Sequence, residues 1–278
     1  MTQYLVHTDE SKGLKNTAYW YQGPYNWNAV CNGGAVISAL ALEGEYPHAE
    51  EIIRRASRSW RRYFEYFKAD GGCDEGTGYW GYGMRYAIMA VEALKVAGKD
   101  DGGIFEMESM KNTAYFPISF CPRGVAVSFG DAGMMVSDPI FYIFGARNKN
   151  PDFVWYADTY CQTTDPNYEG WPREPLEILW RPVGEEWLPG KSYALKMDRA
   201  RLFGEIGWSV MVDKLPTPDV IAGFKCGSLA TSHVQLDNNT FQIWAYGKWL
   251  AVDLGSGSYN ADYFGPKRWG YYEVATEG

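Results

Sequence analysis

His233 is one of only three histidines in this 278-residue chain. It opens the run His-Val-Gln-Leu-Asp-Asn-Asn, which leads into an apolar, β-type segment. Imidazole is the side chain that exchanges protons near neutral pH. Alternate residues of an extended strand point the same way. His233, Gln235 and Asp237 are therefore expected on one face, with the amide and the carboxylate orienting the ring. Asp253 follows the next predicted strand, where glycines allow close backbone approach. The plain alternative is a histidine in a polar loop.

Two other stretches carry candidate chemistry. "NWNAVCNGG" places Asn26, Asn28 and Asn32 just before a predicted helix. Asparagine is a favoured helix cap, but capping employs one asparagine, not three. An amide here can also donate to a substrate carboxylate, and the residues leave both readings open. "DGGCDEGTGYWGYGMRY" gathers Asp74, Glu75, Tyr79, Trp80, Tyr82, Arg85 and Tyr86 around a glycine-rich helix entry. Tyr79, Tyr82 and Tyr86 share a helical face by their spacing. That is either a packing stripe or one wall of a cleft that the glycines leave open. A tyrosine beside Arg85 is expected to have a lowered pKa, which suits proton transfer.

Helical and strand signals divide the chain. "HAEEIIRRASRSWRRYFEYFKADGG" puts Ile53, Ala56, Trp60, Tyr63, Phe64 and Phe67 on one face at the helical period. Near residue 198 the period changes to two: Ile206, Trp208, Val210 and Val212 alternate with smaller residues. "TFQIWAYGKWLAVD" reads as a hairpin turning at Tyr246-Gly247-Lys248. "RPVGEEWLPGKS" is the candidate linker. The expected division is a helical portion at 1–195 and a β portion at 196–278.

Composition narrows the partners. A net charge of −8 excludes the broad basic field that nucleic acid requires. No apolar run approaches the ~20 residues of a membrane span. The 12 Trp, 21 Tyr and 13 Phe serve core packing or stack on sugar rings, and Trp80 is a candidate for the second use. Cys31, Cys73, Cys121, Cys161 and Cys226 form no CxxC pair, so they read as scattered core residues. Arg85, Arg123 and Lys248 are candidate anion partners.

Taken in order, "NWNAVCNGG", "DGGCDEGTGYWGYG" and "SHVQLDNNTFQIWAYGKWLAVDLGSGSY" resemble the motifs of the heparinase II/III-like polysaccharide lyases. The resemblance covers Asn26 to Tyr259. It implies a partial α/α toroid followed by an antiparallel β-sandwich. It also implies β-elimination on an acidic, uronic-acid polysaccharide such as heparan sulfate or alginate, in a periplasmic or secreted protein. Carried over by motif, His233 is the catalytic histidine and Tyr79 or Tyr82 the catalytic tyrosine. Asn32 neutralises the uronate carboxylate, with Asn28 as its alternative. Many family members bind a structural zinc through a histidine at the position of Gln235 and an aspartate at that of Asp253. Glutamine is a weak zinc ligand, so no zinc and no other cofactor is expected. The chain is expected to be a piece of a longer protein, with exposed sheet edges that favour a homo-oligomer. Two rivals remain: a glycoside hydrolase using Asp74, Glu75 and Asp131, and a glycan-binding remnant without catalysis.

Overall fold

The computed structural model describes residues 1–132, 138–160, 175–184, 187, 197–265 and 268. Among them, helices come first and an antiparallel sheet follows, the order expected from the change of period. The helices are α1 (Thr2–His7), α2 (Tyr19–Gln22), α3 (Asn26–Ala41), α4 (Ala49–Tyr66) and α5 (Gly76–Val96). They continue with α6 (Glu108–Asn112), α7 (Tyr115–Phe120), α8 (Ile140–Asn148), α9 (Pro151–Tyr160) and α10 (Pro175–Trp180). Cys161 and most of the candidate linker lie outside the described residues.

The chain forms two compact units: Met1–Ala69 with Trp80–Lys111, and Asp70–Tyr79 with the described residues from Asn112 onward. In the first, α3 packs on α4. The α4 stripe is buried as its spacing predicts, through Ile53, Ala56, Trp60, Tyr63, Phe64 and the following Phe67. Its outer face is charged, with Glu51 bridging Arg54 and Arg55.

Two glycines set how closely these helices approach. A Cβ on Gly33 would lie 2.6 Å from the Tyr86 carbonyl oxygen, and one on Gly83 would lie 2.6 Å from the Tyr63 hydroxyl. Here the glycine-rich sequence serves helix contact. The expected ligand opening is not its purpose at these positions.

In the second unit, β1 (Ala200–Phe203), β2 (Trp208–Val212), β3 (Val220–Lys225), β4 (Thr240–Ala245) and β5 (Lys248–Ala251) form one antiparallel sheet in sequential order. Period-two burial sends Phe203, Trp208, Val210, Ile221 and Trp244 inward. Phe116 and Phe120 of α7 meet Phe203 and Trp208 edge-on or tilted, at centroid distances of 5.1–5.9 Å. Leu202, Met211, Phe224 and Phe241 are exposed and point the other way. The β4–β5 hairpin turns at Tyr246 and Gly247, both at positive φ (49° and 85°). This is the turn that matches strand twist.

Candidate functional site

His233 does not open a strand. Residues 231–239 form turns, and β4 starts only at Thr240. His233 itself takes a left-handed backbone, φ 57°, which costs a non-glycine residue energy and needs surrounding structure to hold it. The support is a loop at residues 128–132. Asp131 N–H donates to the His233 carbonyl at 2.9 Å. Gly130, φ +68°, sits so close that a Cβ would lie 2.6 Å from that same oxygen. Only glycine fits there.

The His233 ring lies flat on the Tyr79 ring, with centroids 3.6 Å apart and planes 13° from parallel. Its Nδ1 is 3.3 Å from Asp131 Oδ2 and 3.4 Å from the Tyr259 hydroxyl. Its Nε2 is 4.0 Å from Glu75 Oε1. The hydroxyls of Tyr79 and Tyr259 are 2.5 Å apart. A phenol pair, an imidazole and two buried carboxylates thus form one cluster within the second unit.

Asp131 is the hub. Gln235 Nε2 donates to Oδ1 at 3.2 Å, Arg268 Nη2 to Oδ2 at 2.8 Å, and the Tyr263 hydroxyl to Oδ1. Burial pushes its carboxyl upward, but hydrogen bonds from His233, Tyr263 and Arg268 outweigh this and hold it below the usual carboxylate range. Burial raises the Tyr79 phenol, and the Tyr259 contact pulls it back down. The same contact raises Tyr259, after burial. Either phenol can be the donor in this pair.

The structure changes several sequence expectations. Asn26, Asn28 and Asn32 lie inside α3, and Tyr25 is its N-cap, so none of the three asparagines caps it. Asn32 is fully buried. Its Nδ2 donates to Asn28 O, Asn28 Oδ1 and Ser59 Oγ at 2.8–3.0 Å, and its Oδ1 accepts from the Tyr4 hydroxyl at 2.8 Å. Asn28 Nδ2 donates to Gly23 O at 2.8 Å and Ser59 Oγ at 3.0 Å. Both amides are therefore committed to the core of the first unit, with no donor held ready for a carboxylate. Asn32→Ala removes the acceptor of the Tyr4 hydroxyl and one of the donors to Ser59 Oγ, and is expected to cost ~2–4 kcal/mol of stability in a denaturant titration.

Trp80 is completely buried and offers no face to a sugar. Tyr82 is 44% exposed and packs edge-on against Tyr86 at 5.7 Å. Burial raises its phenol. Neither Tyr79 nor Tyr82 has the lowered pKa that a neighbouring arginine was expected to give. Arg85 is half-buried in the first unit. Arg123 donates to Pro218 O at 2.7 Å and lies over the Trp244 ring at 5.2 Å, so it ties loops together.

Asp74 is raised to about 7, first by burial and then by the Glu75 charge. An aspartate free in water titrates near 3.8. Between these two values the folded chain binds the proton more tightly than the unfolded one, so stability falls as pH rises and the penalty is complete above about 7. Asp74→Asn is expected to flatten that slope and to stabilise the chain at about pH 8 by ~1–3 kcal/mol, as read from unfolding at about pH 5 and pH 8.

The zinc site of the resemblance can be tested against these residues. Gln235 turns its Nε2 toward three oxygens: Asp131 Oδ1, Gly255 O and Tyr263 Oη. Asp253 Oδ1 accepts from Gly255 N–H at 2.8 Å. Asp237 shares neither His233's nor Gln235's partner. Its carboxylate holds the buried Lys225 ammonium instead. No cluster of three His, Cys, Asp or Glu residues suited to a metal occurs among the described residues. The Lys225 charge also acts on Asp253, opposing the upward push of burial and of Asp237. This donor set, an amide and a carboxylate beside an ammonium, does not fit zinc.

Asp131, Tyr259 and Tyr263 were not read as parts of the histidine's site. The sequence singles out Asp131 only as one of the carboxylates of the hydrolase reading, with Asp74 and Glu75. The signals that point to them are Gly130-Asp131 in a loop and two tyrosines after a Gly-Ser-Gly-Ser run.

With the geometry in place, comparison with solved structures identifies the fold. The chain carries part of the fold of heparinase III structures. One is the heparinase III BT4657 gene product, at TM-score 0.56 and 17% identity, covering 82% of this chain and 32% of that one. Another is a mutant of the heparan sulfate lyase HepC from Pedobacter heparinus, at TM-score 0.54 and 15% identity, covering 83% of this chain and 33% of that one. The chain thus spans about a third of the length of each. No protein-family profile and no curated protein sequence matches it. No helix among the described residues is long and apolar enough to cross a membrane.

Proposed function

We propose that the chain contributes the catalytic cluster of a polysaccharide lyase that cleaves a uronic-acid glycan of the heparan sulfate class by β-elimination. The observation that carries this reading is the stacked Tyr79–His233 pair, with Tyr259 hydrogen-bonded to the Tyr79 oxygen. Elimination needs a base for the C5 hydrogen and an acid for the leaving oxygen. Tyr79, raised by burial, keeps its proton at neutral pH and serves as the acid. His233 takes the C5 proton. The C5–H electrons form the C4=C5 double bond, the C4–O bond breaks, and the Tyr79 proton goes to the departing oxygen. No water and no redox partner is consumed. Once Tyr79 has given up its proton its oxygen can only accept, so the Tyr259 hydroxyl then donates to it and stabilises the charge left there.

Tyr79 is preferred to Tyr82 because its ring contacts His233. Asn32 and Asn28 are assigned to the core, and no structural zinc is proposed, because the donors do not suit it. A periplasmic or secreted location is the accompanying proposal, in line with a polysaccharide substrate. A hydrolase reading draws on Asp74, whose carboxyl near 7 suits a general acid. Its other two carboxylates fit a base less well: Asp131 is saturated by four donors, and Glu75, next to Asp74 in sequence, faces His233 Nε2.

The test is ultraviolet absorbance on heparan sulfate, with alginate and neutral glucan alongside. A rise on heparan sulfate, from the unsaturated uronyl product, supports the reading. Binding without turnover, unchanged in His233→Ala, points to a non-catalytic remnant.

A further inference from the structure

The lyase reading leaves one question about His233: which ring nitrogen carries the proton. The two are chemically distinct, and the partner of one decides what the other can do. We propose that Asp131 is a positioning residue that holds the Nδ1–H form of His233 and so makes Nε2 the nitrogen that takes the substrate proton. The proposal rests on the lyase reading for its catalytic meaning, but not for its geometry.

Four observations converge. Asp131 Oδ2 lies 3.3 Å from Nδ1, and Asp131 is among the most deeply buried carboxylates of the unit. The other donors to this carboxylate, from Gln235, Tyr263 and Arg268, fix it in place and keep it ionised. An ionised carboxylate only accepts hydrogen bonds, so the nitrogen facing it must donate. The main chain repeats the clamp: Asp131 N–H reaches the His233 carbonyl, and Gly130 permits the approach. Finally, the Tyr259 hydroxyl lies 3.4 Å from the same nitrogen, where its oxygen can accept from an Nδ1–H.

The groups facing the ring are thus Asp131 and Tyr259 at Nδ1, Glu75 at Nε2, and Tyr79 on the flat face. Glu75 stands 4.0 Å from Nε2. That is beyond hydrogen-bond length, so it leaves the Nε2 lone pair uncommitted when the ring is neutral. Loss of the Asp131 charge frees Nδ1 to lose its proton instead. The imidazole would then offer its lone pair to the protein interior and its N–H to the substrate, the wrong way round for a base.

The experiment is nitrogen-15 NMR of the full chain labelled at histidine. With three histidines, assignment needs only His7 and His48 variants. At alkaline pH, His233 in the unaltered chain is expected to show a pyrrole-type Nδ1 and a pyridine-type Nε2. Asp131→Asn, similar in size but uncharged, is expected to move it to the opposite tautomer or to an averaged pair of shifts. A pyridine-type Nδ1 in the unaltered chain overturns the proposal, and this needs no variant to fold. So does an Asp131→Asn spectrum identical to the unaltered one. On a glycan that the chain cleaves, Asp131→Asn is expected to lower kcat by ~100-fold or more, with KM within about 3-fold. An absence of cleavage by the unaltered chain defeats the lyase reading, while the tautomer result still decides the positioning role.

Discussion

Tyr79→Phe is expected to lower the elimination rate by roughly 10²–10⁴-fold while leaving the melting temperature close to that of the unaltered chain. The substitution removes one oxygen and keeps the ring, so the 3.6 Å stack on His233 survives. What disappears is the proton for the leaving group and the hydroxyl contact with Tyr259. Tyr259→Phe keeps that proton and loses only the donor that stabilises the resulting charge. Its loss is expected to be smaller, on the order of 10-fold. The order of the two effects is the informative part. Equal losses would make the pair a structural contact, and a Tyr79→Phe rate within about 3-fold of the unaltered one would remove Tyr79 from the chemistry. Steady-state kinetics on one uronate glycan, with a melt for each variant, measures both.

The second large effect concerns stability. Lys225 and Asp237 are both buried in the second unit, ammonium against carboxylate. Lys225→Met removes one charge and strands the other in a medium that solvates it poorly. The expected cost is ~3–5 kcal/mol. The double variant Lys225→Met with Asp237→Leu removes both charges and is expected to recover much of that loss, because an apolar pair needs no solvation. Denaturant midpoints of the three chains, together with Asp237→Leu alone, close a double-mutant cycle. The same pair stands beside Asp253, at the position the resemblance gives to zinc. A chelator is therefore expected to leave the melting temperature unchanged.

The fold was legible where one periodicity acts along a continuous segment. The α4 stripe from Ile53 to Phe67, the alternation in β2 and the Tyr246-Gly247 turn are local patterns, and the structure follows them. The succession of helices and then strands followed from these. Side-chain direction was less legible. The three asparagines of α3 read as lying ahead of the helix, because asparagine favours caps, yet Ser59 draws Asn28 and Asn32 inward from 31 and 27 residues away. Trp80 read as a sugar platform, since nothing local distinguishes a buried tryptophan from an exposed one.

The site was legible in its ends and not in its centre. His233 stood out by residue type, and Tyr79 only together with Tyr82. Asp131 is joined to His233 across 102 positions, and Tyr79 to Tyr259 across 180. No periodicity spans such a separation. The alternation assigned to His233, Gln235 and Asp237 failed for a related reason: the left-handed backbone at His233 breaks the strand. His233 and Gln235 still meet at Asp131, while Asp237 goes to Lys225.

The central claim is that the Tyr79–His233 pair breaks a glycosidic linkage without adding water. Mass spectrometry of the products from a defined heparan sulfate oligosaccharide tests it most directly. The account predicts two fragments whose masses sum to that of the substrate, one of them carrying the unsaturated uronyl ring. Fragments whose masses sum to the substrate plus one water would contradict it.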